Sequence, residues 1–435
     1  MSTLFRRAQN TAFAARSAQS VLLLSRACPL NRARAICAFR VSLFSTTKLP
    51  RQRRPLNILF FGTDFFAKET LKPLIEAQKD LDPVVGEISV VCPPSQFKKK
   101  GLKTKLIWQA DTEKLAMKHG LAVHNTSAES LSLWRVPTIE QEGRHKEYDI
   151  GIISSFGKFV PASVINKFQL GMINVHPSLL PKYRGPSPIQ TTILNGDYNT
   201  GVTIQEVHPK IMDGGKILAQ VPFTINEQAT RLDVMLQLGH LGGELVVKVL
   251  KNLDYLRKNS AEQDESQVTQ TKMVAKYDAQ ITWECMTAEH IMRMHRAYYG
   301  SEPVYSFLRI KNKMKHVQIV DLDHADPKKP PINEDYLDYP PGTMFFARKI
   351  PYIEILCIDG SRLHATKFVV SGKQATDQYQ FTAGYLRGKK LTKFPRLLTS
   401  GPCLKRPTPP FVFPSEYKST GVLAAESDKS HTEES

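Results

Sequence analysis

Residues 172–185 read Met-Ile-Asn-Val-His-Pro-Ser-Leu-Leu-Pro-Lys-Tyr-Arg-Gly. An apolar strand there runs straight into Pro177, Pro181 and Gly185, so the following segment cannot be helix interior. Asn174 and His176 lie two apart on the strand and therefore share a face. Downstream, Asp213-Gly214-Gly215 adds a carboxylate on a turn. Amide, imidazole and carboxylate together suit attack of an amine on a carbonyl-like carbon. The carboxylate can orient the imidazole or hold it charged, and an amide N–H can support an oxyanion.

The rest of the chain supplies the frame. Asn57–Thr63, Ile88–Cys92, Leu121–Val123, Asp149–Ser155 and Gly201–Val207 read as further strands. Helices are expected over Phe65–Ala77 and Thr112–His119, and a long one is expected to run to about Leu253, with Thr224 and Glu227 as its capping box. The alternation predicts an α/β fold, a Rossmann-like doubly wound, mostly parallel sheet, with ligands beyond the carboxyl ends of its strands. A polar stretch over 256–272 reads as a linker. Val317–Val320, Thr343–Ala347, Tyr352–Cys357 and Arg362–Val370 then predict a smaller β-rich domain over 273–395. Residues 400–435 lack periodicity and read as a disordered tail.

A chain of 435 residues has room for two or three domains. Its formal charge is +18, of which the first 55 residues supply +11 with no acid before Asp64. That Arg-rich, acid-free segment over 1–50 predicts a disordered mitochondrial transit peptide; a basic arm binding nucleic acid is the other reading. No apolar run is long enough for membrane insertion. The six cysteines contain no CxxC pair, so neither a metal site nor a disulfide framework is expected.

The segment from Asn57 to about Leu391 resembles the mitochondrial methionyl-tRNA formyltransferases, within the formyl-folate-dependent formyltransferase superfamily. The resemblance is carried by Asn174 through Gly185, Pro188-Ile189, Gly196-Asp197, Thr200–Thr203 and Asp213–Gly215. Phe61–Thr63, Phe156-Gly157, Ala275-Lys276, Trp283, Pro341–Thr343 and Gly384–Leu386 add to it. It implies a catalytic domain over 55–255 and an OB-like tRNA-binding barrel after the linker. The implied reaction moves the formyl group of 10-formyltetrahydrofolate to the α-amine of initiator methionyl-tRNA, without a metal, in a monomer of the mitochondrial matrix. Two departures stand out. Gly214 occupies a position where relatives often carry Thr or Ala, and 321–340 is long and proline-rich.

By the resemblance, Asn174 and His176 stabilise the oxyanion while Asp213 orients His176. Ser178, Leu179, Leu180, Pro181, Phe156 and Gly157 line the folate pocket. Lys98, Lys99, Lys100, Lys103 and Lys105 form a basic loop that meets the tRNA acceptor stem, joined by Arg184. A merely solvated face is the other reading of that loop, and Arg309, Lys311, Lys313 and Lys315 form a second basic strip. The rival functions are another formyl-folate enzyme (a glycinamide ribonucleotide or sugar-nucleotide formyltransferase, or a formyl-folate hydrolase) and a non-catalytic mitochondrial RNA-binding protein.

Overall fold

The computed structural model describes residues 54–100, 103–126, 131–141, 143–310, 313–386 and 395–399. The expected transit peptide over 1–50 and tail over 400–435 lie outside the described residues, as does Lys311.

The first part of the chain runs β1 (Leu56–Gly62), α1 (Phe65–Ala77), β2 (Val85–Cys92), β3 (Gln96–Lys100), β4 (Lys103–Trp108), α2 (Asp111–Lys118), β5 (Ala122–Asn125), β6 (Ile139–Gln141), β7 (Arg144–Lys146), β8 (Ile150–Ser154), α3 (Ala162–Ile165), β9 (Met172–His176), α4 (Pro188–Asn195), β10 (Asn199–Glu206), β11 (Ile217–Thr224), α5 (Arg231–Lys251) and α6 (Leu253–Lys258). Seven strands form one sheet in the order β11-β10-β9-β8-β1-β2-β5. The pairs from β9 through β5 are parallel, while β10 is antiparallel to both its neighbours. The chain winds outward from β1 in one direction and then returns to its other side at β8. That reversal is the doubly wound plan, and it leaves both faces to be covered.

Strand β1 shows how. Ile58 and Phe60 enter the core shared with α1 and α5, whereas Leu59 and Phe61 point to the opposite face, against Phe156, Phe168 and Met172. The period of two in the side chains thus fills two cores from one apolar run.

Two expected elements are corrected. Thr224 still belongs to β11, where its hydroxyl bonds Asn199 at 3.1 Å. The capping box of α5 is instead Thr230 with Asp233, whose Oδ2 accepts the Thr230 N–H at 2.9 Å. The Thr/Asp pair has the same spacing as the Thr/Glu pair, and the extent of β11 decides between them. The basic loop is a two-stranded ribbon, β3 with β4, separate from the main sheet. Its two strands are antiparallel, with Lys98 paired to Lys105 and Lys99 to Thr104.

Segment 256–272, expected as a linker, is fastened to the seven-stranded sheet and the loop after β9. Ala261 and Ile217 exchange backbone hydrogen bonds at 2.8 and 3.1 Å. The Arg184 N–H donates to Thr269 O at 2.8 Å, and the Thr271 N–H to Arg184 O at 2.7 Å. Polar composition marks a segment that avoids apolar cores, and here its partner is another polar backbone rather than water.

The second part holds α7 (Ala288–Tyr298), β12 (Tyr305–Ile310), β13 (Lys313–His324), β14 (Met344–Phe345), β15 (Ile353–Leu356), β16 (Arg362–Val370), β17 (Ala375–Asp377), α8 (Gln378–Phe381) and β18 (Leu397–Leu398). The antiparallel order β14-β15-β16-β13-β12-β18 nearly closes on itself. Met344 N–H donates to Pro395 O at 2.9 Å and Leu397 N–H to Gly342 O at 2.8 Å, joining the first strand to the last. Closure removes exposed sheet edges. Trp283 sits fully buried inside, its indole N–H donating to Ser306 Oγ at 2.8 Å. Helix α7 packs on α4, with Arg293 laid against Gly196 at the end of α4.

Candidate active site

Asn174 and His176 occupy the carboxyl end of β9 and point to one side. Their cross-strand partners on β10 are Gln205 and Thr203. Asp213 comes from the loop between β10 and β11 and closes the group. Its Oδ1 accepts from Asn174 Nδ2 at 2.9 Å and from Gln205 Nε2 at 3.1 Å, with His176 Nδ1 at 3.5 Å. Its Oδ2 accepts the Gly185 N–H at 2.9 Å. The carboxylate is therefore fixed from four directions.

The His176 ring is oriented from both ends. Nε2 lies 2.8 Å from Tyr183 O, and a carbonyl can only accept, so Nε2 carries a proton. Nδ1 then faces a carboxylate; a second proton there makes the contact attractive, and its absence turns a lone pair toward Asp213. Asn174 differs in that an amide nitrogen has two hydrogens and one is committed to Asp213. Asn174 is partly exposed while His176 is buried.

Local backbone explains why these residues can converge. Tyr183 and Asp213 both adopt left-handed conformations, φ 64° and 53°. Such non-glycine residues cost energy and persist where surroundings over-determine them, often at functional sites. Gly215 is required by close approach: a Cβ there would stand 1.7 Å from Glu206 O. At Gly214 a Cβ would meet Ile211 Cγ2 at 2.5 Å. The Ile211 side chain therefore takes the space that Thr or Ala would need at this position.

Tyr183 is held equally firmly. Its N–H donates to Thr269 Oγ1 at 2.8 Å, its hydroxyl donates to Asp197, and Asn195 Nδ2 donates to that hydroxyl at 2.7 Å. Burial, followed by the neighbouring Asp197, pushes the phenol well above its ordinary range and keeps it a donor.

The expected pocket residues divide. Ser178 is fully buried, and its hydroxyl donates to Lys182 O at 2.6 Å, so it shapes the loop rather than facing a ligand. Leu180 is buried and its N–H donates to Thr203 Oγ1 at 3.1 Å. Leu179 and Pro181 keep partly exposed surface. Phe156 is a core residue, edge-on to Phe61 with ring centroids 5.4 Å apart, while Gly157 is exposed beside it.

Arg184 is corrected outright. Its side chain is only 6% exposed, and its guanidinium binds Glu265 at 2.8 and 3.2 Å and Gln263 Oε1 at 2.9 Å. It is a buried clamp and offers nothing to a tRNA phosphate. Lys98, Lys99 and Lys105 are exposed on the ribbon, and Lys100 and Lys103 pair at its tip. Lys98 stands directly opposite Lys105, and residues 96–108 contain no acid. Like charges facing each other across strands repel, and a polyanion relieves that repulsion. Phe97, Leu106 and Ile107 are exposed on the same ribbon.

Sequence reading missed Gln205 and Gln263. Gln205 is 1% exposed, and its one signal was an amide within a strand whose residues are almost all buried. Among the described residues no group of three or more His, Cys, Asp or Glu side chains could hold a metal ion. Burial pushes the Cys92 and Cys357 thiols up to about 12, which keeps both protonated and inert.

Comparison with known proteins gives a consistent result. Residues 56–250 match the Formyl transferase family and residues 273–386 match Formyl transferase, C-terminal domain. The mitochondrial methionyl-tRNA formyltransferase of Homo sapiens is 30% identical over 338 residues, 77% of this chain and 79% of that protein. The mitochondrial methionyl-tRNA formyltransferase of Mus musculus is 32% identical over 337 residues, 77% of this chain and 80% of that protein. Among solved structures, the N-formyltransferase from Helicobacter canadensis in complex with folinic acid and dTDP-3-aminofucose is 18% identical. It covers 71% of this chain and 98% of its own, with a TM-score of 0.45. With both domains matched in order and the two mitochondrial relatives aligned over most of their length, the chain belongs to the methionyl-tRNA formyltransferase family of formyl transferases.

Proposed function

We propose that this protein formylates the α-amine of initiator methionyl-tRNA with 10-formyltetrahydrofolate as donor, in the mitochondrial matrix. The observation that carries the reading is the convergence of Asn174, His176 and Asp213 at one strand end, within 3.5 Å of a common carboxylate oxygen. The mitochondrial relatives and the acid-free basic segment at 1–55 support the compartment.

The chemistry follows from the donors. A neutral amine attacks the formyl carbon, and the carbonyl oxygen gains negative charge. The second N–H of Asn174, beside the one given to Asp213, supplies a donor for that charge, and a pre-placed donor of this kind is worth about 10²–10³ in rate. One proton must leave the amine and one must reach N10 of the folate as the C–N10 bond breaks. The His176–Asp213 pair carries that proton traffic, with Asp213 setting the ring's orientation. Leu179, Pro181 and Gly157 offer surface to the folate. Lys98, Lys99 and Lys105, with Lys100 and Lys103 at the ribbon tip, supply phosphate contacts that give affinity without reading sequence.

The reading is tested by acceptor choice. Purified protein, 10-formyltetrahydrofolate and charged initiator tRNA are expected to give formylmethionyl-tRNA, undiminished by excess glycinamide ribonucleotide. Formylation of the ribonucleotide in preference to the tRNA would replace this reading with the other formyl-folate enzyme.

A further inference from the structure

Asp213 has to be held in a left-handed backbone, and the sheet alone does not hold it. Gln205 and Asn174 grip its carboxylate and Gln205 Oε1 accepts the Gly215 N–H at 3.2 Å, but the carbonyls of Asp213 and Gly215 face the segment that follows α6. There the Gln263 side-chain amide lies 2.8 Å from Asp213 O, 2.8 Å from Gly215 O and 3.1 Å from Gln205 Oε1. Three acceptors share its two hydrogens, so this one amide fastens the turn on both sides of Gly214 and also the residue that grips the carboxylate.

The amide's orientation is determined by the same network. Its Oε1 accepts from Arg184 Nε at 2.9 Å. A flipped amide would point its oxygen at three oxygens and its hydrogens at a guanidinium. Arg184 is fixed in turn by Glu265 and by the backbone of Thr269 and Thr271. Gly185, whose N–H bonds Asp213, passes so close to Thr271 that a Cβ would stand 2.8 Å from its carbonyl oxygen, and its φ is 110°.

We infer that Gln263 is a positioning residue for Asp213, so that the segment between the two domains is a working part of the active site. It touches no reacting atom and acts through the geometry of the Asp213 turn. The inference rests on the functional reading above.

Steady-state kinetics of Gln263→Ala and of the near-isosteric Gln263→Met test it, together with thermal melting and the same changes made in Asp213→Asn. A misplacement of about 1 Å costs about 10²-fold in rate. Each single variant is therefore expected to lose about 10²-fold in kcat, with KM for folate and tRNA within about 3-fold and melting within a few degrees of the unaltered protein. In the Asp213→Asn background, single-turnover rates should fall by less than about 3-fold, since residues acting as a unit are not additive. Should Gln263→Ala not fold, Gln263→Met decides. A kcat within about 3-fold of the unaltered protein, or a full loss repeated on top of Asp213→Asn, would overturn the inference. An unaltered protein that formylates no methionyl-tRNA would overturn the functional reading itself, and the inference with it.

Discussion

Asp213 and Glu354 show how a carboxylate shielded from water is held by specific donors. Asp213 collects Asn174, Gln205 and the Gly185 N–H. Glu354, on the face of β15 opposite the core residues Ile353 and Ile355, collects Arg362 Nη1 at 2.8 Å, the Ile332 N–H at 3.0 Å and His364 Nε2 at 3.3 Å. Burial pushes the Glu354 carboxyl up, but the hydrogen bonds from His364 and Ile332 and the charge of Arg362 outweigh it and leave it below its ordinary value. A depressed carboxyl contributes stability above its unfolded value, near about 4.3, and loses it as pH falls through the folded value. Glu354→Ala leaves Arg362 uncompensated and is expected to destabilise the protein by about 3–5 kcal/mol in chemical denaturation. Thermal melts of Glu354→Gln should be flatter than those of the unaltered protein below about pH 4; parallel acid limbs would remove Glu354 from the account. At this scale legibility was uneven. Asn174, His176 and Asp213 announce themselves because their spacing has a chemical reason. Arg184, Ser178 and Phe156 were assigned a surface they do not have, since partners such as Glu265, Lys182 O and Phe61 are distant in sequence or indistinguishable by type.

Elements reveal what single residues cannot. The ribbon β3–β4 stacks Lys98 against Lys105 and shows Phe97 and Ile107 to solvent. A surface that is self-repelling and partly apolar gains from a partner with phosphates and stackable bases. Replacing Lys98, Lys99 and Lys105 by Gln should weaken tRNA binding. It should also reduce the slope of log affinity against log salt by about 2–3, near one per lost phosphate contact. Folate binding, followed in parallel, should stay unchanged. An unaltered slope returns the ribbon to a solvated face. The proline-rich stretch 321–340 also gains a place at this scale. Arg362 Nη2 donates to Lys329 O at 3.1 Å and lies over Tyr336, so the insertion is pinned to the barrel by the residue that pairs Glu354. Helix and strand periodicity made most elements readable. The start of α5 was misplaced because Thr224/Glu227 and Thr230/Asp233 offer the same capping pattern, and only the pairing of β11 distinguishes them.

At the scale of the whole molecule, the α/β sheet and the β-rich barrel were both readable from alternating apolar runs. The closure of the barrel was not, because β18 is two residues long and its partners lie more than fifty positions away. Nor was the docking of 256–272, since a polar sequence does not say whether its partner is water or protein. That docking holds the connecting segment to the first sheet and its loops: the chain leaving α6 returns along Ile217, Tyr183 and Arg184 before entering the barrel. The proposed transfer rests on Asn174, His176 and Asp213 acting together. Its most direct measurement is single-turnover formylation of methionyl-tRNA by Asn174→Ala, His176→Ala and Asp213→Ala, each shown to be folded. Losses of at least about 10²-fold in all three are predicted, and a rate equal to that of the unaltered protein in any one of them would contradict it.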